Sequence, residues 1–223
     1  MLTSKKVSES VRLGSILMFS GGFLDAYSYL VRGEVFATAE TGNIALMGIS
    51  LARGDLALAG RYLIPVAAYA AGIFLTEWIR MRMGENGTVH WKEGILWLEF
   101  AVMVLAGFMP QGWNPLVNCL IGFSCAMQVE AFRKMHGMAF ATTMCTGNLR
   151  SGTELLALGT LENDGEQRKH GLWYYWIDLV FVAGAAASAL LCQVLAERAV
   201  WVCAAALLSA ILFIRYHRRM AEV

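Results

Sequence analysis

A series of long apolar stretches is the feature that most constrains what this chain can fold into. A helix needs roughly 20 residues to cross a bilayer core of about 30 Å. Six stretches come close to that length, at residues 13–31, 62–79, 94–109, 114–132, 171–195 and 199–214. Only 16% of the residues are charged, whereas soluble domains carry about 25%. Because the chain lacks the polar residues to cover a water-facing surface, we predict an all-α polytopic membrane protein, with residues 1–223 as one membrane domain.

Composition also limits the partners and cofactors. The net charge of +1 gives no argument for binding nucleic acid. All five cysteines lie in apolar segments without zinc-ligand spacing, so we interpret them as small hydrophobic residues. The sequence contains no phosphate-binding glycine loop, HExxH motif or nucleophile elbow. We therefore predict no metal, no cofactor and no enzymatic activity, with the lipid bilayer as the main partner.

Two shorter apolar segments, 41–53 and 146–158, follow an internal repeat. The first is introduced by FATAETGN, which ends at Asn43, and the second by FATTMCTGN, which ends at Asn148. Each segment has about thirteen residues, or roughly 20 Å of helix, which is too short for a comfortable span. We expect a half-helix in each.

The position of the repeat divides the chain into two halves. We assign residues 10–109 to repeat 1 and residues 110–217 to repeat 2, each with a span, a short segment and two further spans. Gly72 is the expected counterpart of the small-residue tract around Gly184.

The distribution of Lys and Arg tests two topologies. If the short segments enter and leave on one side, six spans with cytoplasmic termini put thirteen of these residues inside. Four then remain outside: Arg32, Arg53, Arg61 and Arg198. Eight full spans would divide the same charges ten to seven, so the positive-inside rule favours six. Three crossings in each half make the repeats inverted, as in many transporters.

The Thr-Gly-Asn ends of the short segments have the chemistry of a ligand site. Threonine is a plausible helix N-cap, glycine permits close approach of a ligand, and helix N-termini attract anions. If the two ends meet near the membrane midplane, we expect a site for a small anionic or polar solute. The alternative is that the motif only caps two helices packed on each other. The candidate residues are Thr41, Gly42, Asn43, Thr146, Gly147 and Asn148.

Ionisable residues inside apolar segments are the second functional signal, because such groups are rarely left in lipid. Asp25 and Glu130 occupy matching positions in the two halves, and Glu40 precedes the first Thr-Gly-Asn. We predict that these three acids carry coupling protons. Arg150 would hold a substrate anion, although a buried ion-pair network joining the halves, or pairing of Arg150 with Glu154, would explain the same residues. Glu99 and Asp178 are expected near span ends, reaching lipid headgroups.

The motif Gly22-Phe23-Leu24-Asp25-Ala26, followed by Phe36 to Thr41-Gly42-Asn43, resembles the YoaK-like family of bacterial inner-membrane proteins, a group of unknown function. The resemblance covers nearly the whole chain and departs from the family pattern at Glu40. It implies a multi-pass protein of the bacterial inner membrane and supplies no substrate. The duplicated half-helix is also similar in architecture to uracil- and sulfate-permease-type carriers and to aquaporin-type channels.

These observations lead to three hypotheses. The first is a small secondary transporter for an anionic or polar solute bound between the Thr-Gly-Asn ends, with proton coupling as an option. The second is a channel on the same scaffold. The third is a non-transporting assembly factor or partner subunit, and a homodimer is compatible with all three.

Overall fold

The computed structural model describes residues 9–38, 40–83, 90–135 and 137–222, so Ala39 of the first motif lies outside the described residues. The described part of the chain is almost entirely helical. The helices are α1 (Val11–Val31), α2 (Glu40–Ala52), α3 (Leu56–Met83), α4 (His90–Ala106), α5 (Asn114–Ala131), α6 (Cys145–Leu161), α7 (Gly165–Leu195) and α8 (Val200–Glu222). Single 3₁₀ turns precede α5 and α8, at Gln111–Trp113 and Ala196–Ala199.

A two-stranded antiparallel hairpin is the only sheet among the described residues. It pairs β1 (Lys134–Met135) with β2 (Met138–Ala139), and it lies between α5 and α6. Its side chain Met135 packs with Met18 of α1 and with Tyr174 and Ile177 of α7. The hairpin thereby ties the entry to α6 to the helices beneath it.

Four helices, α1, α4, α5 and α8, supply the main hydrophobic core. Leu17, Met103, Ile121 and Leu207, one from each, are almost completely inaccessible. The other long helices, α3 and α7, pack on the outside of this core and leave large apolar side chains such as Phe74 exposed. An exposed face of this kind suits contact with lipid.

The first four and the last four helices form two sets, and the helices of one set pack on those of the other in a regular pattern. The first helix of each set packs on the third helix of the other set, α1 on α7 and α5 on α3. The short helices pack on the helices that follow them, α2 on α3 and α6 on α7, and the fourth helices α4 and α8 pack on each other.

Glycine permits the two crossings between the sets. A Cβ atom at Gly184 of α7 would overlap the carbonyl oxygen of Phe19 in α1, and one at Gly72 of α3 would overlap that of Phe123 in α5. Because backbone cannot move aside as a flexible side chain can, only glycine lets these helices approach so closely.

The observed helix lengths agree with the expected half-helix for α2 and exceed it for α6. The helix α2 has the expected 13 residues, but α6 has 17, as many as α4. The four additional residues bring α6 to roughly 25 Å, so length alone does not separate it from a span.

Among the described residues, two stretches are long and apolar enough to cross a membrane by length and composition. They are Leu56–Met83, with a mean hydropathy of 1.5, and Gly165–Met220, with a mean hydropathy of 2.2, which includes both α7 and α8. The prediction of six spans as inverted repeats stays a prediction.

Arg32 occupies a different environment from the external loop position that the charge count assumed. Its side chain is fully buried and donates hydrogen bonds to the carbonyl oxygens of Ala106 (2.6 Å) and Met109 (2.9 Å), and to Tyr27 (2.8 Å). These carbonyls belong to the end of α4, where unpaired backbone oxygens and the helix dipole favour a cation. Arg32 is therefore a structural link between α1 and α4.

Candidate functional site

The asparagine of each Thr-Gly-Asn motif holds the segment before its helix. The amide of Asn43 donates hydrogen bonds to the carbonyl oxygen of Phe36 (2.6 Å) and to Glu40 (3.0 Å). The amide of Asn148 donates to the carbonyl oxygen of Ala141 (2.9 Å) and accepts from its N–H (3.4 Å). In both cases the asparagine bonds the backbone seven residues earlier. Both side chains are buried, so their donors serve the fold before any solute.

The segments before α2 and α6 cross to the first helix of the opposite half. A Cβ at Gly122 of α5 would meet the carbonyl oxygen of Ala37, and a Cβ at Gly21 of α1 would overlap that of Thr142. On its own half, the first segment is held by Ser28, whose hydroxyl accepts from the N–H of Ala37 (3.0 Å). These contacts place both segments against the central helices.

Asp25 and Tyr69 each have neighbours at the beginnings of both short helices. Asp25 is 7% exposed and accepts a 2.5 Å hydrogen bond from the Thr38 hydroxyl. It is also close enough to interact electrostatically with Glu40 and with Cys145, the first residues of α2 and α6. Tyr69 of α3 is near both Glu40 and Thr143. The two helix N-termini therefore share the same neighbours.

Unpaired polar atoms are concentrated at this place. Among the described residues, the buried side-chain oxygens without a hydrogen-bond partner include Oε1 of Glu40, Oδ1 of Asn43 and Oγ1 of Thr142 and Thr143. Buried polar groups are nearly always paired in folded proteins. Four unpaired oxygens at and just before the N-termini of α2 and α6 leave hydrogen-bonding capacity for a ligand there.

The other predicted residues of the two motifs face outward. Thr41, Thr146 and Gly147 are exposed, and Gly42 is half-buried. A Cβ at Gly147 would contact nothing within 4 Å, and the N-cap residue Met144 makes no side-chain capping hydrogen bond. The first turn of α6 is therefore accessible, with backbone N–H groups that can donate to a ligand.

Two of the predicted charged residues pair with other charged groups or face outward. Glu130, the penultimate residue of α5, forms an ion pair with Arg133 (2.9 Å), which also approaches Glu77 of α3 (3.5 Å). Arg150 is exposed on α6. Asp25 lies six residues before the end of α1, so it and Glu130 do not occupy matching positions, because the hairpin lengthens the second half at this point.

Sequence reasoning missed three residues of the interior. Asp178, expected to reach lipid headgroups, accepts a 3.5 Å hydrogen bond from Asn148 and interacts with Cys145. Glu99, expected likewise near a span end, is fully buried in the core. Tyr69 was not singled out. The available signal was the presence of a polar group well inside an apolar stretch, at residues 94–109 for Glu99 and 62–79 for Tyr69.

Within the described ranges, no three His, Cys, Asp or Glu side chains come together as they would to hold a metal ion. The described cysteines are all unpaired thiols.

Comparisons with known proteins place the chain in a family. The family model described as "Protein of unknown function (DUF1275)" matches residues 13–214. The chain is 25% identical over 147 residues to the UPF0700 transmembrane protein YoaK of Bacillus subtilis (strain 168), and the match covers 61% of this chain and 63% of that relative. No solved structure matches. These matches confirm the resemblance inferred from the sequence motifs and, with the apolar helices, a membrane location. The chain belongs to the DUF1275 family of proteins of unknown function.

Proposed function

We propose that this protein is a small secondary transporter whose solute binds between the N-termini of α2 and α6. In this proposal the six other helices span the bacterial inner membrane, both termini are cytoplasmic, and α2 and α6 enter from opposite faces as parts of inverted repeats. The exchange of packing partners between the two sets of four helices supports a twofold relation between the halves. Many carriers with inverted repeats bind their solute at such interrupted helices.

The observation that carries the proposal is the set of unpaired buried oxygens at the two helix N-termini. Glu40 and Asn43 offer acceptor oxygens, the hydroxyls of Thr142 and Thr143 can donate or accept, and the first turn of α6 offers backbone donors. A solute that completes these hydrogen bonds must both donate and accept. This requirement favours a small polar molecule or a weak acid over a simple halide ion.

Nearby carboxyl groups restrict the charge of the solute further. Asp25 and Glu40 are close to each other, Asp178 is bound to Asn148, and Arg150 is exposed. Because like charges at close range in a medium of low dielectric repel strongly, an anion binds here only when at least one carboxyl group is protonated. The arrangement thus supports binding of a monoanion together with a proton, or of a neutral polar solute.

A thermal-stability screen of the purified protein tests the proposal. The probes are small monocarboxylates, nitrate, inorganic phosphate and nucleobases. A solute at 100 times its Kd stabilises the folded state by about 2.7 kcal/mol, which is measurable as a rise in Tm. Saturable uptake of the same solute into proteoliposomes would then distinguish a carrier from a channel, whose flux does not saturate.

Gly147→Ala is the variant that links the solute to this site. Its Cβ would meet no protein atom, so the Tm without solute should be unchanged, while the solute-induced rise should fall because the methyl group occupies the approach to the first turn of α6. Gly48→Ala is the matched control, since Gly48 is also exposed on a short helix with open space around it. A solute-induced shift that is identical in wild type and Gly147→Ala would place the site elsewhere.

A further inference from the structure

Two glutamates of α4, six residues apart, occupy opposite environments. Glu93 accepts hydrogen bonds from Arg215 (2.5 Å) and Arg218 (3.1 Å), both on α8. Glu99 is fully buried and is part of no salt bridge recorded for the described residues. A carboxylate with two guanidinium partners is stable as an anion. Glu99 has no comparable compensation.

The contacts of Glu99 are neutral and incomplete. One oxygen, Oε1, accepts hydrogen bonds from the thiol of Cys125 (3.5 Å) and the side-chain amide of Gln128 (3.2 Å), both on α5. The other oxygen, Oε2, has no hydrogen-bond partner within the described part of the chain, and neither has Oε1 of Gln128. Glu99 and Gln128 therefore each carry one buried acceptor oxygen that receives no hydrogen bond from a described residue.

We propose that Glu99 is a buried proton-binding site, neutral in the resting protein, and that it is distinct from the solute site at the helix N-termini. Burial of an uncompensated carboxylate in the low-dielectric core of a protein is strongly unfavourable. A proton on Glu99 removes that charge and converts one of the two unpaired acceptors into a donor. The proton thus accounts for both the burial and the unpaired oxygens.

The residues around Glu99 connect it to the candidate solute site. Cys125 interacts with Glu99 and, on the other side, with Asp25 of α1. Cys203 of α8 also faces Glu99, and its thiol donates to the carbonyl oxygen of Ser20 at 3.9 Å. Among the described residues, the titratable groups that interact with Glu99 from α5 and α8 are the thiols of Cys125 and Cys203. Cys125 interacts with both carboxyl groups and so connects Glu99 with Asp25.

This arrangement suggests how a proton could be coupled to the solute, a step that rests on the proposed function. Release of the proton from Glu99 would oppose an anion near Asp25, whereas a proton on Glu99 would permit it. Coupling through Glu99 replaces the role assigned from sequence to Glu130, which is held by Arg133 at the end of α5.

Infrared difference spectroscopy of the purified protein tests the protonation of Glu99 directly. At neutral pH, Glu99→Gln should remove intensity from the C=O stretch of protonated carboxyl groups. The matched control is Glu93→Gln on the same helix, which should remove carboxylate intensity and leave the protonated band unchanged. Loss of carboxylate intensity in Glu99→Gln would overturn the proposal, because it would show that Glu99 is ionised and neutralised by a bound cation.

Cys125→Ala provides a second measurement that leaves Glu99 in place. Removal of the thiol donor should shift the Glu99 C=O band to higher frequency, because hydrogen bonding to that oxygen is lost, and should keep its intensity. An unchanged band in this variant, if Glu99→Gln fails to fold, would contradict the assignment.

Transport measurements separate this proposal from the proposed function. In proteoliposomes, Glu99→Gln should lose accumulation driven by a proton gradient and retain exchange of solute across the membrane. If wild type transports no solute while the infrared assignment holds, the proposed function fails and the proton site stands. If Glu99→Gln accumulates solute as wild type does, the coupling role of Glu99 is excluded.

Discussion

The beginnings of α2 and α6 share one set of contacts and differ in another. In both, a buried asparagine bonds the backbone seven residues earlier, and the preceding segment lies against a glycine of the opposite half. The carboxyl groups near the two helix N-termini differ. The first residue of α2 is Glu40, which is close to Asp25. The first residue of α6 is Cys145, which interacts with Asp178 of α7. The duplicated contacts hold the two segments alike, and the unequal ones give the two helix N-termini different chemistry.

The glycine contacts should produce the largest effects. Gly21→Ala and Gly122→Ala each push a Cβ into a backbone carbonyl of the opposite segment, and overpacking of this kind costs about 1–3 kcal/mol or more. We expect a clear fall in Tm for both variants, measured by thermal unfolding in detergent. Gly94→Ala, where a Cβ meets nothing, should leave the Tm unchanged. A loss for only one of the two would show that the segments are not held alike.

Removal of the asparagine hydrogen bonds should cause the next largest loss of stability. Asn43→Leu and Asn148→Leu remove the donor of a buried carbonyl, which costs about 1–3 kcal/mol. Both variants should lower the Tm, with no solute required to see the effect. Unchanged stability in both variants would show that these amides do not hold the preceding segments, and would reverse the division between fold and site.

The threonines that precede the two helices sharpen the comparison. Thr38→Val loses a hydrogen bond to Asp25 and should destabilise the protein by about 1 kcal/mol. Thr143→Val removes a hydroxyl that is buried and unpaired, so the Tm without solute should stay constant or rise, while solute stabilisation should weaken. Thr153→Val, which removes a paired hydroxyl on the exposed face of α6, is the control for solute binding. Equal losses of Tm in Thr38→Val and Thr143→Val would show that both hydroxyls serve the fold.

The smallest effect concerns the turn after each short helix, where an aspartate caps the next helix. Asp55 accepts from the N–H of Leu58 (2.9 Å), and Asp164 accepts from the N–H of Glu166 (2.8 Å) and Gln167 (3.2 Å). The two hydrogen bonds at Asp164 lower the pKa of its carboxyl below the ordinary range. The cap is therefore fully effective above the unfolded-state pKa of about 3.9 and weakens as the pH falls through the folded-state value.

Amide exchange at the start of α7 measures this cap. Protection of Glu166 and Gln167 should decrease in acid in wild type, beyond the intrinsic pH dependence of exchange. Asp164→Asn should show lower protection at neutral pH and little further change. A pH-independent cap in wild type would contradict the assignment of the titration to Asp164.

Much of the secondary structure could be predicted from the apolar pattern, because burial in lipid or in a helical core requires long uninterrupted helices. All eight predicted helical segments are present. The end of α6 could not be predicted. Leu158 and Leu161 continue the apolar pattern up to a polar turn, so the pattern itself does not mark the residue at which the helix stops. The burial of Arg32 also could not be predicted, because the carbonyl oxygens that it binds lie more than 70 residues away, at and just after the end of α4.

The sequence by itself determined a helical membrane protein with a duplicated Thr-Gly-Asn segment, since hydropathy and a repeated motif are properties of the linear chain. Only the tertiary structure decided that the two asparagines bind the backbone seven residues earlier, that Glu130 pairs with Arg133, and that Glu99 is buried in the core with no salt bridge to any described residue. The reason is that the electrostatic state of a polar group depends on which helices surround it. That choice is made by close packing at a few glycines, and it leaves no periodic trace in the sequence.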